Sequence, residues 1–335
     1  MSSAHQKPMP TTGVSRRWRD IALLAGLFVL VLAGLIGVAA ATGWEETKAQ
    51  LAKLSMAQFG VLLALSLANY GFRGLRWHIF ANRLGLNTGF IQNLRHFLGG
   101  FAMSVTPGRV GELIRMRWLR RETGWAFEKT APLVLVDRAS DLAAMAVILG
   151  IAVSVSTTGI SGAVPVTFLA LIAALVATRP QLLAGFAGFG YRIIGRWPRL
   201  FARVRGAARS LSRFANPGIL ALAACIGAIG WFAEAYAFHL LLVWMGSDIG
   251  IAKAAAIFIF STLAGGLTGA PGGVGGAEAA MIALLSLEGV PLDVSVPATA
   301  IIRVTTLWFA ILIGLVVFPF AEKLSMKANN ALEDI

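Results

Sequence analysis

The sequence predicts an all-α, polytopic membrane protein with about six full spans and two re-entrant hairpins. Of the 335 residues, 57% are hydrophobic and 13% are charged, whereas soluble domains carry about 25% charged residues. Several apolar stretches approach the ~20 residues that an α-helix needs to cross a hydrocarbon core. A third observation, two Pro-Gly breaks between short apolar runs, predicts the hairpins.

The net charge of +13 does not indicate nucleic acid, because the basic residues are distributed over segments between the spans. Such a distribution is typical of cytoplasmic loops and of contact with anionic lipid headgroups. The single Cys225 cannot form an intrachain disulfide, and the four histidines lack ligand spacing, so no metal site and no cofactor is expected. The expected partners are membrane lipids, anionic or phosphate-bearing, and no nucleic acid.

Residues 20–320 are predicted to form a single transmembrane domain between two cytoplasmic tails, a disordered one at 1–19 and another at 321–335. The first span begins at Ile21 and ends near Ala41. A cleaved signal peptide is the alternative, but the apolar core exceeds the 7–15 residues typical of one. Further spans are predicted at 57–81, 129–155, 164–178, 219–245 and 296–320. With both termini cytoplasmic, we expect a multi-pass protein of the bacterial inner membrane.

The first break is the stretch Pro107-Gly108-Arg109, followed by Glu112. Basic residues flank it on both sides, at Arg95 and at 115–121, so both flanks are expected in the cytoplasm. Broken backbone at membrane depth is tolerated where it is buried in protein or lines a wet cavity. The pattern predicts a hairpin that enters and leaves on the cytoplasmic side.

The second break is Pro271-Gly272-Gly273, followed by Glu278. Acidic residues and no basic cluster flank it, so this hairpin is expected to enter from the outside. Residues 57–155 and 217–320 then form an inverted-topology repeat, an arrangement common in secondary transporters, which bind substrate at the repeat interface.

Between these repeats, residues 179–213 contain eight arginines and no acidic residue, with apolar residues interleaved. This pattern predicts one or two amphipathic helices on the inner leaflet, although a plain basic loop fits as well. The residues expected to contact lipid headgroups are Arg192, Arg196, Arg199 and Arg203.

Charged residues also lie inside the predicted spans. Each costs about 2.5–3.5 kcal/mol on insertion scales, so these side chains should pair or line a polar cavity. They are Asp137, Arg138, Asp141, Glu234 and Arg303. Arg138 follows Pro107 by 31 residues and Arg303 follows Pro271 by 32. Either Arg138 and Asp141 form a structural ion pair, or the arginines form an anion site.

Two further arginines, Arg73 and Arg76, lie one helical turn apart near the end of the second span. They can extend to the headgroups or belong to the site, and the sequence favours neither.

Each break is expected to precede a half-helix, beginning near Val110 and near Gly275. Helix starts expose unpaired N–H groups and the positive end of the dipole, which favours anions. Together with Arg109, Arg138 and Arg303, two such starts predict a phosphate site. Glu112 and Glu278 either cap these helices or bind a cationic headgroup or a proton.

The strings Ser104–Glu112 and Val136–Asp141, together with Pro271–Glu278, resemble the flippase-like membrane family that includes the transmembrane region of lysylphosphatidylglycerol synthase. The resemblance covers roughly residues 20–320. In that family the region is linked to moving lipids between leaflets, which implies a lipid flippase. The full synthase adds a soluble aminoacyl-transferase domain. We do not expect that domain within residues 1–335, so the resemblance does not imply synthase activity.

The expected function is therefore translocation of a phospholipid-like or polyprenyl-like amphiphile between leaflets. Two alternatives stay open: a membrane-embedded lipid-modifying transferase, and a protein that binds lipid without moving it. The chain has no His-Glu-x-x-His, no Gly-x-Ser-x-Gly, no P-loop and no Cys/His pairing, so we do not expect an enzyme.

Overall fold

The computed structural model describes residues 54–106, 111–155, 163–195 and 216–333, as well as Ala49, Ala52 and Phe214. Every element in these residues is helical, which confirms the predicted all-α class. The helices are α1 (Met56–Leu84), α2 (Phe90–Gly99), α3 (Gly111–Thr123), α4 (Phe127–Val155), α5 (Ala163–Thr178), α6 (Pro180–Ile194), α7 (Pro217–Trp244), α8 (Ile251–Leu267), α9 (Gly276–Leu287), α10 (Leu292–Arg303) and α11 (Phe309–Glu333). The predicted first span and the tail at 1–19 lie outside the described residues.

Three of the described helical segments are long and apolar enough to cross a membrane: α4, α7 and the continuous segment Leu292–Ala328 formed by α10 and α11. Shorter apolar helices occupy Val164–Val176, Ile251–Leu267 and Gly276–Leu287. The predicted spans 129–155 and 219–245 agree with α4 and α7 to within two residues, and the predicted 296–320 lies inside the longer segment Leu292–Ala328. The count of six spans and the membrane sides stay predictions.

Local capping chemistry sets the ends of α1. The Ser55 hydroxyl accepts a hydrogen bond from the Gln58 backbone N–H, and the Gln58 side chain accepts one from the Ser55 N–H, a capping box. The helix ends at Gly85, whose φ of 91° is in the left-handed region that glycine adopts at little cost. Between these ends, α1 directs Tyr70, Arg73 and Arg76 into the protein interior.

A 3-10 turn precedes each of the two half-helices. After α2 the chain forms a 3-10 turn at Gly100–Val105, and α3 begins at Gly111. After α8 it forms a 3-10 turn at Pro271–Gly273, and α9 begins at Gly276. The second break depends on glycine, because Gly272 and Gly273 have φ of 61° and 69°. Each half-helix therefore starts one residue beyond the position that the sequence predicts.

Each broken segment packs on both predicted repeats, residues 57–155 and 217–320. Helix α1 packs along α7. Helix α2 packs on α1 of its own repeat and on α11 of the other, and α8 packs on α7 of its own repeat and on α4 of the other. The two 3-10 turns contact each other. The backbones approach so closely that a Cβ added at Gly314 of α11 would lie 2.2 Å from the Ala102 nitrogen. This arrangement brings the two 3-10 turns together.

The carboxyl-terminal end of the chain extends the bundle. Helix α11 continues to Glu333, and its buried Glu322 accepts a hydrogen bond from Trp118 Nε1 (2.8 Å) and forms ion pairs with Arg117 and Arg121 of α3. Most of the segment predicted as a cytoplasmic tail is thus helical, and its first turns pack on α3.

Helix α6 contains the first part of the basic segment 179–213 and exposes Arg192. Arg196, Arg199 and Arg203 lie outside the described residues.

Candidate functional site

A cavity of about 650 Å³ lies beside the two 3-10 turns. Both halves and both 3-10 turns contribute to its wall. Its charged lining consists of Arg73, Arg115, Arg138, Asp141, Glu234 and Arg303, and the lining at the two 3-10 turns includes Ser104, Thr106, Gly272 and Gly273. Six of the predicted site residues therefore line one space: Arg138, Asp141, Glu234, Gly272, Gly273 and Arg303.

An ion-pair cluster between α1 and α4 forms one side of the cavity. Asp137 and Asp141 are one turn apart on α4, so they face α1 together. Arg76 Nη2 lies 2.6 Å from an Asp137 carboxylate oxygen and 2.7 Å from one of Asp141. Arg73 Nη2 lies 2.8 Å from Asp141, and Arg138 bonds both carboxylates at 3.0 and 3.1 Å. Three arginines share two aspartates.

Members of this cluster differ in their access to the cavity. Arg76 is fully buried and Asp137 nearly so, and neither lines the cavity. We therefore assign them to holding α1 against α4. Arg73, Arg138 and Asp141 do line it, and the Arg138 side chain is 23% exposed.

These contacts bear on two alternatives that the sequence leaves open. Arg73 and Arg76 are buried and paired with aspartates. Arg138 does pair with Asp141, and Arg73, Arg76 and the Trp231 indole N–H (3.1 Å) also bond this carboxylate. Asp141 thus does not depend on Arg138 alone, and an anion site at these arginines stays a prediction.

The second half contains a smaller cluster at its break. Arg303 Nε lies 2.5 Å from Glu278 Oε1, and Arg303 Nη2 donates to the Gly272 carbonyl at 2.8 Å. The other Glu278 oxygen accepts from the Gly275 N–H at 2.6 Å, capping α9. A π-helical turn at Val304–Trp308 follows Arg303, a feature frequent at functional sites. Through its contacts with Glu278 and Gly272, Arg303 connects α10 to α9 and to the second 3-10 turn.

Glu234 lies between the two clusters. It is on α7, 4% exposed, and lines the cavity. The charges of Arg73 and Arg303 act on it from the two halves, but within the described residues it forms no ion pair.

Three cavity residues, Tyr70, Arg115 and Trp231, are absent from the site predicted from the sequence. Arg115 was expected on a cytoplasmic flank, yet it is buried with its guanidinium 4.3 Å from the centre of the Phe97 ring. No sequence pattern distinguishes it from the neighbouring Arg117, Arg120 and Arg121, which are half-buried or exposed. Arg73 and Arg76 did carry a signal, since their one-turn spacing matches that of Asp137 and Asp141.

Some predicted site residues receive no structural description. Pro107, Gly108 and Arg109 lie outside the described residues, and for Glu112 and Pro271 only the backbone is described: Glu112 is the second residue of α3, and Pro271 begins the second 3-10 turn. Within the described part of the chain, no group of three or more histidine, cysteine, aspartate or glutamate side chains could hold a metal ion.

Comparison with known proteins identifies the family of this chain. Residues 21–314 match the family described as the lysylphosphatidylglycerol synthase TM region. A UPF0104 membrane protein of Methanothermobacter thermautotrophicus is 24% identical over 332 residues, covering 91% of this chain and 98% of the relative. A second UPF0104 membrane protein of that organism is 26% identical over 109 residues, 32% of each chain. Together with the apolar helices, the match over most of the sequence shows that this chain is a membrane protein and belongs to the family of the lysylphosphatidylglycerol synthase transmembrane region.

Proposed function

We propose that this protein is a lipid translocator, which moves a phospholipid-like or polyprenyl-like amphiphile with a phosphate-bearing headgroup between the leaflets of the inner membrane. The observation that carries the proposal is the cavity itself. It combines charged and apolar walls, and residues of both 3-10 turns, which contact each other, line it.

The charged wall suits a phosphate. Arginine binds phosphate through pairs of parallel N–H donors, and four arginines line the cavity. Arg73 donates through Nη2 to Asp141, while its buried Nε has no hydrogen-bond partner in the described residues. Buried donors without a partner are rare in folded proteins. A phosphate oxygen from a lipid headgroup would satisfy this one.

The apolar wall suits a hydrocarbon chain. Helices α4, α5 and α8 contribute Leu142, Met145, Val166, Leu169 and Leu263 to the lining. Helix α5 exposes Phe168 and Ile172 on its outer surface, and on its inner side it forms part of the apolar wall. The volume falls within the range of about 300–1,000 Å³ that is usual for small-molecule sites. It suits a headgroup and the first part of its chains.

The junction of two broken helices favours transport over simple binding. In secondary transporters, substrate binds at the ends of discontinuous helices between the repeats, which then move relative to each other. We infer that the two 3-10 turns have the same role here, with both termini in the cytoplasm and the breaks entering from opposite sides. The exposed Arg192 and the rest of segment 179–213 would contact anionic headgroups of the inner leaflet.

A leaflet assay tests this function. The purified chain is reconstituted into liposomes with a fluorescent phosphatidylglycerol, and the fraction that an external reductant quenches is followed over time. The double change Arg303→Gln with Glu278→Gln removes a neutralised pair and leaves no stranded charge. Loss of a charged hydrogen bond costs about 1.5–3 kcal/mol, so transport should slow about tenfold or more. Arg83→Gln, at an exposed position on α1, is the matched control.

The outcomes separate the alternatives. Lipid that binds the wild-type protein without crossing the bilayer would identify a non-transporting lipid-binding protein. A covalently altered lipid would identify a transferase. Equal rates for the wild type and the double variant would exclude Arg303 from the pathway.

A further inference from the structure

Glu234 is a buried acid in the cavity that the headgroup contacts above do not use. It lies in the middle of α7, one turn after Trp231, and the cavity wall includes both. Among the described residues it has no ion-pair partner, unlike Asp137, Asp141 and Glu278. An acid inside a membrane domain is costly and rare, and proton relays are one recurrent reason for its presence.

Ionisable groups from three neighbouring helices face this carboxyl. They are Tyr70 and Arg73 of α1, Asp141 of α4 and Arg303 of α10. Helix α8, which also packs on α7, contributes uncharged residues such as Phe258 and Thr262 to the same cavity. The two arginines are already bonded, Arg73 to Asp141 and Arg303 to Glu278.

These surroundings act on Glu234 in opposite directions. Burial disfavours the charged carboxylate, while the two arginines favour it. A further charge placed in the same cavity would shift the balance between the charged and the protonated form of Glu234. An anionic headgroup that bonds Arg73 or Arg303 adds a like charge near Glu234 and weakens the arginines' effect on it, so proton binding becomes more favourable. By linkage, protonation of Glu234 then strengthens headgroup binding by the same factor.

We propose that Glu234 binds a proton when an anionic headgroup enters the cavity, so that proton and headgroup occupy the site together and cross the membrane together. This inference rests on the proposed function, since it requires that the cavity bind a phosphate-bearing lipid. It adds a second transported species and names the residue that binds it.

Calorimetry with a short-chain lipid tests the linkage. Dihexanoylphosphatidylglycerol is titrated into the detergent-solubilised protein in two buffers of different ionisation enthalpy, at several pH values around neutrality. The phosphodiester keeps its single charge over this range, so any proton taken up belongs to the protein. The wild type should take up as much as about one proton per lipid. Its affinity for the lipid should rise as pH falls. The total rise should be about tenfold for each pH unit by which lipid binding shifts the titration of Glu234.

Three variants sharpen the assignment. Glu234→Gln imitates the protonated acid, so it should bind the lipid without proton uptake and with an affinity independent of pH. Glu234→Asp keeps an acid and should retain part of the uptake. Glu128→Gln removes an exposed acid at the start of α4 and should behave as the wild type.

The possible results are distinguishable. Wild-type binding without proton uptake overturns the proton linkage and leaves the proposed function intact. Undiminished uptake by a folded Glu234→Gln assigns the proton to another residue and overturns the role of Glu234. No binding by the wild type at any pH contradicts the proposed function and this inference with it. If Glu234→Gln does not fold, the wild-type measurement and Glu234→Asp still decide.

Discussion

The ion-pair cluster makes a stability prediction that separates it from a simple pair. If Arg138 served only to neutralise Asp141, Arg138→Gln would strand a buried acid, and adding Asp141→Asn would restore stability. The structure predicts the reverse order. Asp141 keeps two arginines and the Trp231 N–H without Arg138, whereas Asp141→Asn removes a charge that three arginines share.

Contact geometry gives the magnitudes. Arg138 is the most exposed arginine of the cluster, and its bonds are the longest, at 3.0 and 3.1 Å. Its replacement by glutamine should cost about 1 kcal/mol or less. Asp141 is 4% exposed, and removing one partner from a buried charge cluster costs about 3–5 kcal/mol. The double variant should therefore be about 3–5 kcal/mol less stable than the wild type.

Thermal unfolding in one detergent, followed by tryptophan fluorescence, measures this order. For a chain of this size, about 1 kcal/mol corresponds to about 2 °C in Tm. Arg138→Gln should lower the Tm by about 2 °C at most, and Asp141→Asn and the double variant by about 6–10 °C. A control at an exposed arginine, Arg83→Gln, should leave the Tm unchanged.

One result refutes the reasoning outright. If Arg138→Gln lowers the Tm strongly and the added Asp141→Asn raises it again, the two residues form an isolated pair, and the contacts of Arg73 and Arg76 with Asp141 do not stabilise the fold. Leaflet transport by Arg138→Gln is measured separately, because a folded but inactive variant assigns Arg138 to the headgroup.

Two more predictions concern packing between the halves. Gly314→Ala places a Cβ against the backbone of Ala102 and should lower the stability by about 1–3 kcal/mol or more in a melting assay. The control Gly60→Ala, where nothing lies within 4 Å, should be neutral or slightly stabilising. Equal effects at the two glycines would contradict the close approach of α11 to Ala102. Glu322→Gln weakens the ion pairs between α11 and α3 and should cost about 1–2 kcal/mol; proteolysis of the carboxyl-terminal part of α11 should become faster, and an unchanged digestion rate would show that these ion pairs do not anchor it.

Several features were determined by the sequence because they depend on local chemistry. Composition alone sets the membrane class, since a chain this apolar must place its helices in lipid or in a protein interior. The helix breaks follow from backbone constraints: after Pro271, the glycines at 272 and 273 adopt left-handed φ angles that other residues avoid. Spacing along one helix places Asp137 and Asp141 on the same face.

The partners of the buried charges were decided only by the tertiary structure. Arg76 meets Asp137 across 61 residues of sequence, and Tyr70 donates to the Thr306 carbonyl across 236. Periodicity tells which side chains share a face, but not which helix that face meets. Arg115 is the clearest case, because the same basic stretch contains the exposed Arg120, and the packing of Trp77, Phe97 and Phe101 around Arg115 makes it a buried cavity residue. The cavity exists because α2 and α8 each pack on helices of both repeats, and no local pattern encodes those contacts.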